Sequence, residues 1–390
     1  MYRSASNTLN VRSNVEPFNG FRIDLNGSYS ESSNFEQYYY DTLGNLGFKN
    51  NPIIETGNVS LSILTIKTAF EADSVNYFIF KKNRETISER LHQHYNSEIN
   101  GYTEPSDTLN LPGYRGGFGP TSQQVIIPAF LAAYTGQDVN TMALDELPKG
   151  KNLLESFLKM RPNWRITYDG LSKIDFIKRY FRSINLNHSY RSTYSVASYR
   201  KNPYFRPDPI SGLSLDRNPQ GNYETKYEIS SVSINEQFSP LIGVDMTWIN
   251  SMTTRFEIKK SRNISLSLSN NQISEMVSDE YVVGLGYRFK EVKLVINQRP
   301  YKSDVNVRAD VSMRDNVNSI RSLAVLEEDE LIDQKTAGQK AFSFKFSADY
   351  VLNEKFNVRF FIDRMKNVPY VTSSFPTANT DVGFSITFTL

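Results

Sequence analysis

Two stretches near the end of the chain, FSFKFSADY at 342–350 and FNVRFFIDR at 356–364, place an apolar residue at every second position. Phe342, Phe344, Phe346, Ala348 and Tyr350 fall on one side of the first, against Ser343, Lys345, Ser347 and Asp349. In the second, Phe356, Val358, Phe360 and Ile362 oppose Asn357, Arg359 and Asp363, with Phe361 interrupting the polar row. Successive side chains of an extended strand point to opposite faces, so this period builds a two-faced sheet rather than a helix.

The pattern is widespread. It occurs at NGFRIDLNGSYS (19–30), GNVSLSILTIKTAF (57–70), NWRITYDGL (163–171), RSINLNHSYRSTYSVASY (182–199) and YETKYEISSVSINEQF (223–238). From Leu241 it is nearly continuous through LIGVDMTWIN, MTTRFEIKK, NISLSLSN, EYVVGLGYRFK and SDVNVRADVSMRD to the terminal DVGFSITFTL. With SIRSLAVL as a weaker candidate, the spacing predicts about a dozen strands in meander order. Aromatics at 13%, 23 Tyr and 25 Phe among them, together with abundant Ser and Asn, suit strands joined by polar turns.

Residues 71–162 follow a different rule. NYFIFKKNRETISERLHQHY has helical spacing through Phe78, Ile87 and Leu91. TSQQVIIPAFLAAYTG predicts a helix from about Ser122, interrupted or restarted at Pro128. NLLESFLKM predicts a third short helix, stopped ahead of Pro162. The chain thus divides into first strands at 1–70, a helical insertion at 71–162, and further antiparallel strands at 163–390. An excursion this long is expected at a barrel mouth or inside its lumen, with Phe130, Leu131 and Tyr134 packing it against the inner wall or a neighbouring excursion.

The apolar rows meet either a protein core or lipid. No run reaches the ~18 apolar residues of a spanning helix, and VIIPAFLAAY is too short. A barrel needs only strands of about 9–11 residues, half apolar, and the alternating stretches are of that length rather than the ~5–6 usual in soluble sheets. Aromatics near strand ends, Tyr281, Phe289, Tyr350 and Phe356, resemble interfacial girdles. The reading is therefore an all-β, transmembrane antiparallel barrel segment. Phe342, Phe344, Phe346, Phe384, Ile386 and Phe388 are expected to face lipid, and Ser385 and Thr387 the lumen. The first residues lack the features of a signal peptide, which suggests the tail of a longer exported product.

Long phrases then become specific. TSQQVIIPAFLAAYTGQD (121–138), RPNWRITYDGLSKI (161–174), NHSYRSTYSVASY (187–199), KFSADYVLNEKFNVRFFIDR (345–364) and TSSFPTANTDVGFSITFTL (372–390) are similar to the C-terminal region of the SprA/Sov family. The resemblance runs from about residue 50 to Leu390. Members of that family are giant outer-membrane proteins of Bacteroidota, the translocon of the type IX secretion system, required for gliding motility in many species. The resemblance implies that this chain is the closing portion of a very large barrel at the cell surface. It implies as partners folded cargo proteins with C-terminal sorting domains, a lipocalin-like shuttle barrel, a periplasmic plug and outer-membrane lipid. Another outer-membrane transport barrel, such as a nutrient receptor or porin, shares the alternation; a soluble structural or adhesive β-domain is the third reading.

Signals for other chemistry are weak. GYRGGFG (113–119) lacks the Lys-Ser/Thr of a phosphate loop and suits a tight loop or close backbone approach. His92 and His94 stand two apart, a spacing that does not face one ligand on a helix. EEDE (327–330) with Asp333 lacks calcium-loop spacing and suits a charged turn. No triad or acid–base pair is recognisable, so no catalytic residue, metal or cofactor is expected, and the protein reads as a non-enzyme. A net charge of +2 and the absence of a basic track speak against nucleic acid. Without cysteine there is no disulfide or thiolate chemistry.

Overall fold

A computed structural model describes residues 1–41, 48–106, 111–145, 147–149, 153–296, 299–323, 336–353, 356–371 and 374–388. Fourteen strands occur among them. They are β1 (Tyr2–Phe18), β2 (Phe21–Glu36), β3 (Tyr39–Asp41), β4 (Phe48–Asn50), β5 (Ile54–Ser62), β6 (Asn163–Tyr168) and β7 (Phe181–Lys201). There follow β8 (Tyr227–Trp248), β9 (Met252–Ser267), β10 (Gln272–Ile296), β11 (Arg299–Ser322), β12 (Ala337–Asn353), β13 (Phe356–Pro369) and β14 (Thr377–Phe388). Twelve of these form one sheet; β3 and β4 make a separate hairpin. The fold is all-β.

Every pairing in the large sheet is antiparallel, and its order follows the chain. β1 and β14 are its two edges; among the described residues no ladder joins them. Strands are longer than the sequence segments suggested, reaching 25 residues in β10 and 24 in β11. SIRSLAVL is not a separate strand: its first residues complete β11. β1 was not expected at all, because Leu9, Val11 and Val15 are too sparse among Ser and Asn to mark it.

One line of the sheet is shared by two strands. β5 pairs the second half of β2 and β6 its first half, and both pair β7 on the other side. Residues 63–162 therefore leave a single strand line midway and return to it. The amide of Arg161 donates to the Ser62 carbonyl at 2.9 Å, closing the excursion at its base. Inside it lie α1 (Asp73–Glu98), α2 (Gln123–Thr135) and α3 (Leu153–Lys159); a fourth short helix, α4 (Asp175–Lys178), precedes β7.

α2 runs through Pro128 without the expected interruption. A mid-helix proline loses one backbone hydrogen bond and crowds the preceding turn. Here Val125, Ile126, Ile127, Ala129, Phe130 and Tyr134 are all fully buried around it, and that packing holds the helix together. Gly136, at φ 65°, ends it in the left-handed conformation. The main core lies between the helices and one sheet face, where α1 and α2 cover Tyr29, Leu61, Tyr194, Val196, Val232, Ile234, Ile264, Leu266 and Ile273.

Candidate functional site: an apolar belt and the insertion seated above it

Residues paired across an antiparallel ladder share a face, and residues an even number apart along a strand keep it. Starting from the covered floor, Tyr194 pairs Ile234, Ile234 pairs Ile264, and Ile264 pairs Glu275. β10 then continues without a register shift to Val283, which pairs Val311, which pairs Phe344. The helices and the phenylalanine row of β12 therefore occupy the same face. A lumenal position for residues 71–162 cannot hold together with lipid-facing Phe342, Phe344 and Phe346; period-two alternation orders faces within a strand but carries no information about which face an insertion takes.

Below the helices this face is apolar and uncovered. Its rows include Ile23, Ile166, Ile258, Tyr281, Met313 and Phe342 at one level. Tyr281, Val283, Leu285, Val311, Phe344, Val382, Phe384 and Ile386 are all substantially exposed, Phe384 at 74%. Phe346 is half-buried; the side chain of Phe388 lies outside the described residues. The belt descends across the sheet. On β2 it is Leu25, Ile23 and Phe21, whereas on β13 the corresponding upper rows carry Lys366 and Arg364 and the apolar run is Ile362, Phe360 and Val358. A belt oblique to the strands is what strands tilted within a slab produce.

Aromatic rows bound the belt. At its upper edge Leu25, Trp164, Tyr190, Phe238, Lys260 and Asp279 form one continuous cross-strand row. Trp164 stacks on Tyr190 at 4.4 Å, and Tyr190 packs on Phe238 at 4.9 Å. At the lower edge Phe181 pairs Trp248 with ring centroids 4.1 Å apart, and Tyr287 meets Phe289 at 4.6 Å. The chain's two tryptophans thus stand at the two edges. On β9 these edges are Lys260 and Met252, about 26 Å apart along the strand.

The opposite face is mostly polar, interrupted by exposed Met276, Ile320 and Met365. It carries Ser195, Ser233, Ser265 and Ser274 above, then Arg255, Glu257, Lys259 and Glu280, and finally a depression of about 590 Å³ lined by Arg182, Arg288, Lys290, Arg308, Arg359 and Asp349. Arg255 and Lys259 both pair Glu257, and Lys259 also approaches Glu280 at 3.8 Å. β1–β2 and β8–β9 join by short turns below, where the longer connection 169–180 from β6 to β7, with α4 in it, also lies; the connection 202–226 is above with the insertion.

Where the insertion meets the sheet, charges are buried. Arg262 bonds Glu236 at 3.0 Å and donates to the carbonyl and hydroxyl of Thr68, both at 2.9 Å. Glu236 also accepts from the hydroxyls of Thr65 and Tyr190. Beside it, Arg321 faces Glu275 at 3.6 Å and lies over the Tyr77 ring. Arg84 donates to the carbonyls of Pro120 and Leu323. These residues were not singled out from sequence. The available signal was a charge inside an apolar row: Glu236 among Val232, Ile234 and Phe238, Arg262 beside Ile264 and Leu266, Glu275 between Ile273 and Val277.

Of the expected anchors, Phe130 and Tyr134 are fully buried and 5.0 Å apart, and burial pushes the Tyr134 hydroxyl well up; Leu131 is half-buried against the same core. Lys149 is held between Glu55 at 2.8 Å and Glu31 at 3.6 Å, over the Tyr199 and Tyr227 rings. The glycine-dense loop at 113–119 is a close-approach device. Ser88 binds it from α1 through the Arg115 amide and the Phe118 carbonyl, and Tyr223 lies directly over Gly117. His92 lies near Tyr102 and Glu104. Among the described residues no group of three His, Cys, Asp or Glu converges on a metal site. The acidic stretch at 327–330 and Asp333 lie outside the described residues.

Comparison with protein-family models and with curated proteins gives no match. Among solved structures the chain is similar to OmpT, an outer membrane protein of Vibrio cholerae folded in vitro, in its trimer form. Identity is 9%, coverage 99% of this chain and 97% of that one, and the TM-score 0.18. A likeness at that score carries no argument about fold or function. The class of protein rests on the molecule itself: an antiparallel all-β sheet with one apolar belt, one polar face and a helical excursion.

Proposed function

We propose that this chain forms part of the wall of an outer-membrane β-barrel, with the belt in lipid and the polar face lining an aqueous interior. The observation that carries the reading is the belt bounded by Trp164 and Trp248, because a row of exposed apolar side chains edged by aromatics matches a hydrocarbon slab about 25 Å tall and its interfaces. No helix of the described residues is long and apolar enough to cross a membrane.

The finer reading rests on the sequence phrases similar to the SprA/Sov family. In it the chain is the C-terminal portion of the type IX translocon, exporting folded cargo with C-terminal sorting domains at the cell surface and supporting gliding in species that glide. Its partners would be that cargo, the lipocalin-like shuttle barrel and the periplasmic plug. The polar face offers a conduit wall rather than a catalytic arrangement.

Two experiments separate the levels. The chain has no cysteine, so single cysteines can be labelled without background. In outer-membrane vesicles a cysteine at Ser385 should react with a membrane-impermeant maleimide and one at Phe384 should not; equal reaction at both removes the barrel reading. Deletion of the gene should abolish secretion of sorting-domain cargo. Undiminished secretion leaves a barrel wall of another transport protein.

A further inference from the structure

We infer that the underside of the helical insertion is a second lipid-contacting surface, resting in the headgroup and upper acyl region of the leaflet at the end of the sheet that carries the insertion. This inference rests on the belt lying in lipid. The apolar face that would meet the bilayer is the same face that carries the helices, and nothing intervenes between the two along the strands. The insertion sits directly on the belt's upper aromatic edge.

The level is set by side chains at both ends of the insertion. On its entry side Phe70 packs on Phe238 at 5.4 Å, with Lys260 over its outer side at 5.9 Å. Phe238 and Lys260 are paired members of the upper edge row. On its return side Phe157 and Leu158 of α3 share an apolar groove of about 300 Å³ with Val11, Leu25, Met160 and Pro162. Leu25 belongs to the same row, paired with Trp164. Two segments nearly 90 positions apart in the chain therefore come down to one level.

What they present there is apolar. Phe70 is 59% exposed, and Leu154, Phe157 and Leu158 are likewise exposed. Uncovered side chains of this size in water would be a liability, whereas at a membrane edge they continue the belt. The adjoining polar groups suit headgroups. Lys159, paired with Glu155, and Arg161, which donates to the carbonyls of Leu158 and Met160, flank the α3 residues, and Lys260, paired with Asp279, reaches the same row, so charged groups border the apolar surface as at a membrane interface. The insertion would so brace the wall from outside, fixing the sheet's depth in the bilayer.

The test uses single tryptophans in the full chain, with Trp164 and Trp248 replaced by Phe. Phe157→Trp reports the rim, Val283→Trp the belt, and Ile210→Trp a water-exposed loop above. Each variant is folded into dioleoylphosphatidylcholine vesicles containing phosphatidylcholine brominated at either the 6,7 or the 11,12 acyl position. The rim tryptophan should be quenched at least twofold more by the shallow bromines than by the deep ones, the belt tryptophan strongly by both sets, and the loop tryptophan by neither. Quenching of position 283 without position 157 overturns the inference and leaves the belt in lipid. Absence of quenching at both removes the membrane reading and the inference with it. Phe70→Trp repeats the measurement from the other end of the insertion should the α3 variant fail to fold.

Discussion

Leu61 and Asn163 are near neighbours on one strand line: Leu61 pairs Tyr29 and Asn163 pairs Asn26 of the same strand. The excursion between them is a side branch of a β-strand rather than a loop between strands. Its two feet are stapled by the Arg161–Ser62 backbone bond and by the Ser62 hydroxyl, which accepts from the Ser28 amide at 3.0 Å. Rooted at both ends in a paired ladder, the helical layer is fixed over one face.

Charge should discriminate between the two faces of β14. Phe384 lies within the belt and pairs Phe360, whereas Ser385 is on the polar side and pairs Arg359. In a lipid-embedded barrel, Phe384→Arg should lower folding stability by about 2–4 kcal/mol, while Ser385→Arg should remain hydrated and change it little. Urea unfolding in vesicles gives the comparison. Similar losses at both positions would remove the face assignment, and the reverse order would invert it.

The Glu236–Arg262 pair should behave as a buried ion pair that specifies where the insertion docks. Arg262→Met leaves Glu236 buried without its cation and should cost about 3–5 kcal/mol. Adding Glu236→Leu should recover much of that loss, because two apolar groups no longer carry a desolvation penalty. A double-mutant cycle read by thermal unfolding measures the coupling. Independent, additive losses would show that the two side chains do not act as a pair.

Lys149 predicts a stability term with a defined pH range. Burial on its own would lower its pKa, but the hydrogen bonds to Glu55 and Tyr199 outweigh this and hold the ammonium above its ordinary value of about 10.5. A pKa raised on folding stabilises fully below the unfolded value and loses its contribution as pH rises through the folded one. Lys149→Met should therefore destabilise by about 1.5–3 kcal/mol from pH 7 to 9, with the gap to the parent closing only at pH above about 10.5. A gap that closes between pH 7 and 9 would contradict the cage.

Gly117 is required by both conformation and space. Its φ is +86°, and a Cβ there would fall 2.2 Å from the Tyr223 ring. Gly117→Ala should cost about 1–3 kcal/mol through backbone strain, plus displacement of Tyr223 from its stack on Tyr95. Tyr223→Ala in the same background should relieve the steric part and leave the strain. If Gly117→Ala is as stable as the parent, the close approach is not made.

The alternation of FSFKFSADY and FNVRFFIDR determined strand, period and the split of each strand into two faces, because side-chain direction in an extended chain depends on nothing beyond residue parity. The spacing of Ile87 and Leu91 and the apolar run around Phe130 likewise marked α1 and α2 locally, whereas Phe78 is exposed and the buried face of α1 runs instead through Tyr77, Phe80 and Tyr95. Tertiary structure decided what parity cannot carry. Cross-strand register joined the floor under α2 to the row of Val283, Val311 and Phe344, placing the insertion on the apolar side. It also covered Glu236, Arg262 and Glu275 with the helices, burying charges that parity places in the apolar rows. It drew β5 and β6 into one line and made the belt descend from Leu25 to Ile362. Register is set by pairings between segments far apart in the chain, so no window of sequence contains it.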